Sequence, residues 1–276
     1  MIKNGRIKQA LAYWCLNASD WKWDIDRICE TASSLGCPAL ELVPFELWPV
    51  VRKHGLQNAL AYNGMPDPVF AKGLNNPRYL DEVIARTKQS IDQCADLGVP
   101  NVIAFTGYKW SDADDPKSGE ISPEQGAENT VKGLKDLARH AERKPVNIVL
   151  EQLNTRDDSH PMKGHPGYQG DDLDYCADIV RRVNSPRVKL LFDIYHVAIM
   201  NGDVIRRLRQ YRNWIGHIHT AGVPGRGELD DQQEINYPAV MRALLEIGYE
   251  GYVGQEFIPT RNPAEGLAEA VELCDV

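Results

Sequence analysis

Short apolar runs alternate along this chain with longer stretches whose apolar positions recur every three to four residues. Eight of the short runs predict strands: Gln9–Trp14, Ala39–Val43, Asn58–Tyr62, Asn101–Phe105, Asn147–Leu150, Lys189–Asp193, Ile215–His219 and Tyr252–Glu256. Over Pro77–Leu97, the residues Leu80, Val83, Ile84, Thr87, Ile91 and Cys94 fall on one face at helical spacing. Ala127–Glu142 repeats the pattern with Val131, Leu134, Leu137, Ala138 and Ala141, behind a Ser122-Pro123 pair suited to a cap and first turn. Asn236–Ile247 carries Val240, Leu244 and Ile247 and meets a stop at Gly248.

A helix, a glycine, a short link and a strand recur in that order at Gly36, Gly55, Gly98 and Gly248. Glycine takes the left-handed turn that ends a helix, and the chain then returns as a parallel strand. Eight such units predict an α/β fold, a single (β/α)8 TIM barrel over residues 1–276. No GxGxxG or GxxxxGK[ST] follows the first strand, which removes the main positive signal for a doubly wound sheet. Two long polar loops, Gly107–Glu124 after the fourth strand and Asn154–Asp171 after the fifth, are expected as walls or lids at the mouth.

The composition narrows the function classes. Of 276 residues, 43% are hydrophobic and 25% charged, the balance of a soluble globular chain. A net charge of −8 argues against a general nucleic-acid surface, which needs excess cations to neutralise phosphates. There is no apolar run long enough for a membrane span and no apolar stretch after the charged N-terminus to read as a secretion signal. The cysteines (Cys15, Cys29, Cys37, Cys94, Cys176, Cys274) form no CxxC and no dense framework, so they read as reduced thiols of a cytoplasmic protein.

Candidate chemistry sits at the C-terminal ends of the last four strands: Glu151, Asp193, His219 and Glu256. In a barrel these ends form the catalytic mouth. Taken singly, a strand-end acid often caps the next helix or pairs with arginine. Three carboxylates brought together without a cation would raise one another's pKa, and a divalent metal resolves that cost. Three carboxylates and one imidazole with open positions suit one Mn²⁺, Mg²⁺ or Co²⁺ ion. His217 shares a side of its strand with His219; His219 is nearer the mouth and is the expected ligand, with His217 a barrel-core histidine. His196 is read either as a donor to a substrate oxygen or as a helix-cap histidine, and Arg226, after the tight Gly222-Val223-Pro224-Gly225 turn, either as a substrate contact or as a solvated cation. Tyr13, Trp14, Trp48, Tyr62 and Phe105 are expected mostly in the core, with some on the wall of a small sugar site, and Asn63 is a candidate hydroxyl contact.

These stretches resemble the xylose isomerase-like barrel superfamily, and within it the hydroxypyruvate isomerase-like branch. The matching residues are Leu150-Glu151-Gln152-Leu153-Asn154-Thr155-Arg156, Phe192-Asp193-Ile194-Tyr195-His196, the run from Gly216 to Arg226, Glu234-Ile235-Asn236-Tyr237-Pro238, and the run from Gly248 to Glu256. The resemblance implies one divalent ion held by Glu151, Asp193, His219 and Glu256. It implies Glu151 and Glu256 as the proton-shuttling catalytic pair, and His196 and Arg226 as substrate contacts. Hydroxypyruvate isomerases usually carry Gln where this chain has His219; histidine there is more similar to the ketose 3-epimerases.

The expected activity is that of a divalent-metal-dependent isomerase or epimerase acting on a small hydroxy-carbonyl compound, hydroxypyruvate, tartronate semialdehyde or a ketose. It would run through a metal-stabilised enediolate with the two glutamates as acid and base. The alternatives are a keto-polyol dehydratase on the same site, a sugar-binding protein without turnover, and a DNA-repair nuclease, which the acidic charge disfavours. The expected partner is a small sugar or hydroxy-keto acid, with no nucleic acid and no membrane. Barrels of this kind often pair, which suggests a homo-oligomer.

Overall fold

A computed structural model of the chain describes residues 1–18 and 20–276. The strands are β1 (Lys8–Ala12), β2 (Ala39–Glu41), β3 (Gln57–Asn58), β4 (Asn101–Ala104), β5 (Trp110–Asp112), β6 (Asp115–Glu120), β7 (Asn147–Glu151), β8 (Val188–Asp193), β9 (Ile215–Thr220) and β10 (Tyr252–Gln255). The helices are α1 (Tyr13–Asn17), α2 (Ile25–Leu35), α3 (Trp48–Lys53), α4 (Leu80–Leu97), α5 (Pro123–Ala141), α6 (Leu173–Val183), α7 (Ile194–Met200), α8 (Val204–Tyr211), α9 (Tyr237–Glu246) and α10 (Pro263–Cys274).

Eight strands join in one sheet in the order β3-β2-β1-β10-β9-β8-β7-β4, and every neighbouring pair is parallel. A parallel bridge from Ala61 to Val102 joins the two ends, with Ala61 N donating to Asn101 O and Ile103 N donating to Ala61 O, both at 3.0 Å. The sheet thus closes into the (β/α)8 barrel expected from the spacing of its strands.

Local rules explain the joints. Ser122 caps α5 by accepting from Gln125 N, and Pro123 occupies the first turn, where its missing N–H costs nothing. Asp24 does the same for α2 at Arg27 N. Gly36 and Gly98 end α2 and α4 at φ of +83° and +73°, a conformation that costs a side chain but not glycine. The apolar faces of α4, α5 and α6 then bury against the strands as part of one hydrophobic core to which the other helices also contribute.

The structure corrects three of the expected strands, the second of which ends at Glu41 rather than Val43. The first stops at Ala12, so Tyr13 and Trp14 lie in the short helix α1. The third is only Gln57–Asn58; beyond it Ala59 N donates to Leu40 O at 2.8 Å, Leu60 O accepts from Leu42 N at 2.9 Å, and Ala61 bridges to Val102. The first long loop also holds a regular element, the antiparallel hairpin β5–β6. That loop and the one over residues 154–171 meet as one wall: Lys109 N donates to Gly167 O at 2.8 Å and Gln169 N to Gly107 O at 3.0 Å. Among the described residues, no helix is long and apolar enough to cross a membrane.

Candidate metal centre

Side chains two apart on a strand share a face, and the inward face of the barrel carries Val149 and Glu151, Leu191 and Asp193, His217 and His219. Register sets them side by side. Asp193 lies opposite His219, and on the other side His219 lies opposite Gly254, two residues before Glu256. One ligand atom from each of Glu151, Asp193, His219 and Glu256 falls within 4.8 Å of the others, and all four residues are buried. Opposite ligand atoms on one divalent ion stand roughly 4–5 Å apart.

Asp193 combines two roles that strand-end acids usually take separately. Its Oδ1 caps α7, accepting from Tyr195 N at 2.8 Å and His196 N at 3.3 Å. Its Oδ2 is buried, makes no hydrogen bond and points into the cluster. Glu256 is held on both sides: Trp14 Nε1 donates to its Oε1 at 2.9 Å, while its Oε2 meets Arg226 Nη2 and lies 3.0 Å from His219 Nδ1. Glu151 Oε1 lies 3.4 Å from His219 Nδ1 without a hydrogen bond.

The electrostatics follow from this crowding. Burial pushes the Glu151 carboxyl up to about 7 and that of Asp193 up to about 6. Burial also raises Glu256, but the charges of His219 and Arg226 outweigh it and hold Glu256 below the ordinary carboxylate range. For His219 burial acts downward, and the Glu256 and Glu41 carboxylates overcome it, so its pKa stands well above that of a free imidazole. The protein alone thus answers three carboxylates with one guanidinium and one imidazolium. Buried, unpaired atoms on Glu151, Asp193 and His219, all aimed at one point, fit a bound divalent cation.

Below the cluster lies a carboxylate that sequence reasoning missed. Glu41, fully buried at the end of β2, places Oε2 2.9 Å from His217 Nε2 and Oε1 3.0 Å from His219 Nε2. The latter contact lies off the line of a straight hydrogen bond. A Cβ on Gly254 would fall on the Glu41 carboxylate, so glycine is required there by close approach. His217 is the barrel-core histidine expected, held by Glu41 and with its Nδ1 unpaired. Glu41 obeys the same strand-end rule as the three acids and one imidazole above it. It went unseen because the run Ala39–Val43 places it mid-strand.

His196 and Arg226 both come to the cluster. His196 is fully buried, and Asn154 donates to its Nδ1 from backbone N at 3.1 Å and from Nδ2 at 2.7 Å. Its proton therefore sits on Nε2, which is unpaired and 3.5 Å from Asp193 Oδ2. Burial, then Arg226, pushes its pKa well down, so it is a neutral donor. Arg226, 3% exposed, bonds Glu256, lies 3.5 Å from Asp193 Oδ2 and donates from Nη1 to Met162 O at 2.6 Å. The carbonyl belongs to the 154–171 loop, so the guanidinium ties that wall to the site.

Above the carboxylates opens a cavity of about 370 Å³. Trp14, Tyr62 and Phe105 line it, whereas Tyr13 and Trp48 pack in the core. Asn63 turns away, its Oδ1 accepting from Met65 N at 3.1 Å. The 154–171 loop adds His165, another residue not singled out in the sequence, buried with Nδ1 unpaired and its ring 4.1 Å from that of Phe70.

The comparisons agree with this architecture. The family model described as xylose isomerase-like TIM barrel matches residues 29–275. The 2-oxo-tetronate isomerase of Cupriavidus necator is 35% identical over 137 residues, 50% of this chain and 50% of its own length. The hydroxypyruvate isomerase of Escherichia coli is 27% identical over 147 residues, 53% of this chain and 54% of its own. The chain thus spans about half the length of these curated relatives. A solved structure described as AP endonuclease, family 2, from Brucella melitensis superposes with a TM-score of 0.78 at 23% identity, covering 95% of this chain and 98% of that one, a likeness of fold. With its parallel barrel closed and a family match over nearly its whole length, the chain belongs to the xylose isomerase-like TIM barrel family.

Proposed function

We propose that this chain is a divalent-metal-dependent isomerase or epimerase of a small hydroxy-carbonyl compound, and that residues 1–276 work as one barrel domain. The observation that carries the reading is the convergence of Glu151, Asp193, His219 and Glu256 on one buried point, with unpaired ligand atoms, at the floor of a cavity. The isomerase names of its relatives support the same reaction class.

Glu151, Asp193, His219 and Glu256 would hold the ion. When bound, it would supply Lewis-acid polarisation of the substrate carbonyl. Glu151 and Glu256 both border the cavity, so a substrate held there would meet both carboxylates. Their surroundings divide the work. Both oxygens of Glu256 are engaged, by Trp14 on one side and by Arg226 and His219 on the other. Glu151 turns Oε1 to the ion's position and leaves Oε2 free of hydrogen bonds, so it is the better placed to take the first proton, and Glu256 to return it. His196 Nε2–H and the Arg226 Nε–H, both buried and unpaired, supply fixed donors for charge developing on substrate oxygens.

The test is proton NMR in deuterated water, with Mg²⁺ added to metal-stripped protein, over hydroxypyruvate, ketoses and simple hydroxy ketones. Solvent deuterium entering next to a carbonyl, together with a new isomer, supports the proposal. Net loss of water would assign a dehydratase instead, and binding without exchange would assign a binding protein.

A further inference from the structure

The walls of the cavity differ in character from its floor. Away from Glu151 and Glu256 the lining is hydrocarbon: Leu42, Phe70, Ile103, Phe105, Leu153 and Met162. Uncharged polar side chains on it are few. The Tyr62 hydroxyl is one and the His165 imidazole another. Burial, with the Arg226 charge behind it, pushes His165 down to about 3, so it offers hydrogen bonds and no charge.

The cations are fewer still. Arg226 is the one Lys or Arg among the described residues lining the cavity. Its Nη2 is committed to Glu256 and Asp193 and its Nη1 to the Met162 carbonyl, which leaves only Nε–H unpaired. The remaining charged lining group beyond the floor is Asp67, an acid. A divalent ion in the centre would be balanced, with Arg226, by the carboxylates of Glu151, Asp193 and Glu256. The net charge there is thus already balanced, and a substrate carboxylate would find a single unpaired Arg226 N–H and would meet Asp67.

Resting on the isomerase or epimerase reading above, we infer that the substrate is an uncharged hydroxy-carbonyl compound whose flank, beyond the reacting carbons, is apolar. Its carbonyl and neighbouring hydroxyl sit at the acidic floor. Its remaining carbons lie against the aliphatic and aromatic wall, with Tyr62 and His165 able to meet at most a hydroxyl or two. A fully hydroxylated tail would lose water contacts there that the wall cannot replace. In this the chain departs from relatives named for hydroxypyruvate and 2-oxo-tetronate, both carboxylates.

The experiment compares three compounds on the Mg²⁺-loaded full chain. 1,3-Dihydroxyhexan-2-one shares the oxygens of its first three carbons with a 2-ketohexose but is hydrocarbon beyond them. A 2-ketohexose is its hydroxylated match, and hydroxypyruvate is the anionic one. In deuterated water, kcat/KM for exchange is expected to favour the apolar-tailed ketone by about tenfold or more over both others, the scale of a few carbon contacts in a hydrophobic pocket. Exchange that is as fast or faster with the ketohexose or with hydroxypyruvate overturns the inference and leaves the proposed activity standing. If no compound exchanges, the proposed activity fails, and calorimetric titration of the same three compounds decides the inference alone. Binding of the apolar-tailed ketone about tenfold tighter than the others upholds it, and equal or weaker binding overturns it.

Discussion

Glu41 Oε1 stands 3.0 Å from His219 Nε2, so a fully buried carboxylate on β2 backs an imidazole on β9. The second oxygen of Glu41 makes a hydrogen bond with His217 Nε2 at 2.9 Å, whereas its contact with His219 is one of charge. With Nε2 occupied from below, His219 turns Nδ1 toward Glu151 and Glu256. A partner on the far nitrogen of a histidine ligand fixes its tautomer and raises its basicity.

Glu41→Gln is therefore expected to weaken Mg²⁺ or Mn²⁺ binding by roughly ten- to a hundredfold, measured by calorimetry on metal-stripped protein. Circular dichroism should show the fold retained. Wild-type affinity in the variant would deny Glu41 this role.

Gly254 makes room for that carboxylate, since a Cβ there would overlap it. Gly254→Ala is expected to cost about 1–3 kcal/mol of stability, the usual range for overpacking a buried site, and to lower divalent affinity as Glu41 is displaced. Denaturant titration gives the first quantity and calorimetry the second. A stable variant with unchanged affinity would show that Glu41 can retreat freely.

Glu151→Gln keeps the shape of the side chain but removes a base. Loss of hydrogen–deuterium exchange by roughly 10²–10⁴-fold is expected, with a thermal melt close to that of the parent chain. Glu256→Gln should be similarly inactive. It should also be less stable, because the Arg226 guanidinium loses the carboxylate it bonds in a buried site. Exchange retained in both variants would remove the two glutamates from proton transfer.

Chelation should destabilise the protein. An ion present at a hundred times its dissociation constant adds about 2.7 kcal/mol to a folded state that binds it alone. For a chain of this size that corresponds to a melting temperature higher by roughly 5 °C. A melt indifferent to chelator and to added Mg²⁺ or Mn²⁺ would count against the metal centre.

Much of the barrel was legible because its signals are local. Apolar runs of strand length, Ser122-Pro123 at the start of α5 and the glycines after α2 and α4 each act over a few residues, and each stands where the spacing put it. The strand ends were harder. Tyr13 and Trp14 are as apolar as the strand before them, and nothing in the run marks where pairing stops and α1 begins. The same blur at β2 hid Glu41, whose value depends on where its strand terminates.

The sequence by itself determined the fold class and the residue types at the mouth, because apolar runs of strand length, helical spacing and the polar residue that ends a run are properties of a single segment. It could not show that Asp193 splits its two oxygens between the α7 cap and the cluster, or that Arg226 folds inward onto Glu256 and the Met162 carbonyl. It could not foresee that Glu41 reaches across the barrel floor beneath His219 through the space left by Gly254. Only the closed tertiary structure decided these points. Each depends on strands far apart in the chain meeting in one register, and on burial that removes water as the competing partner.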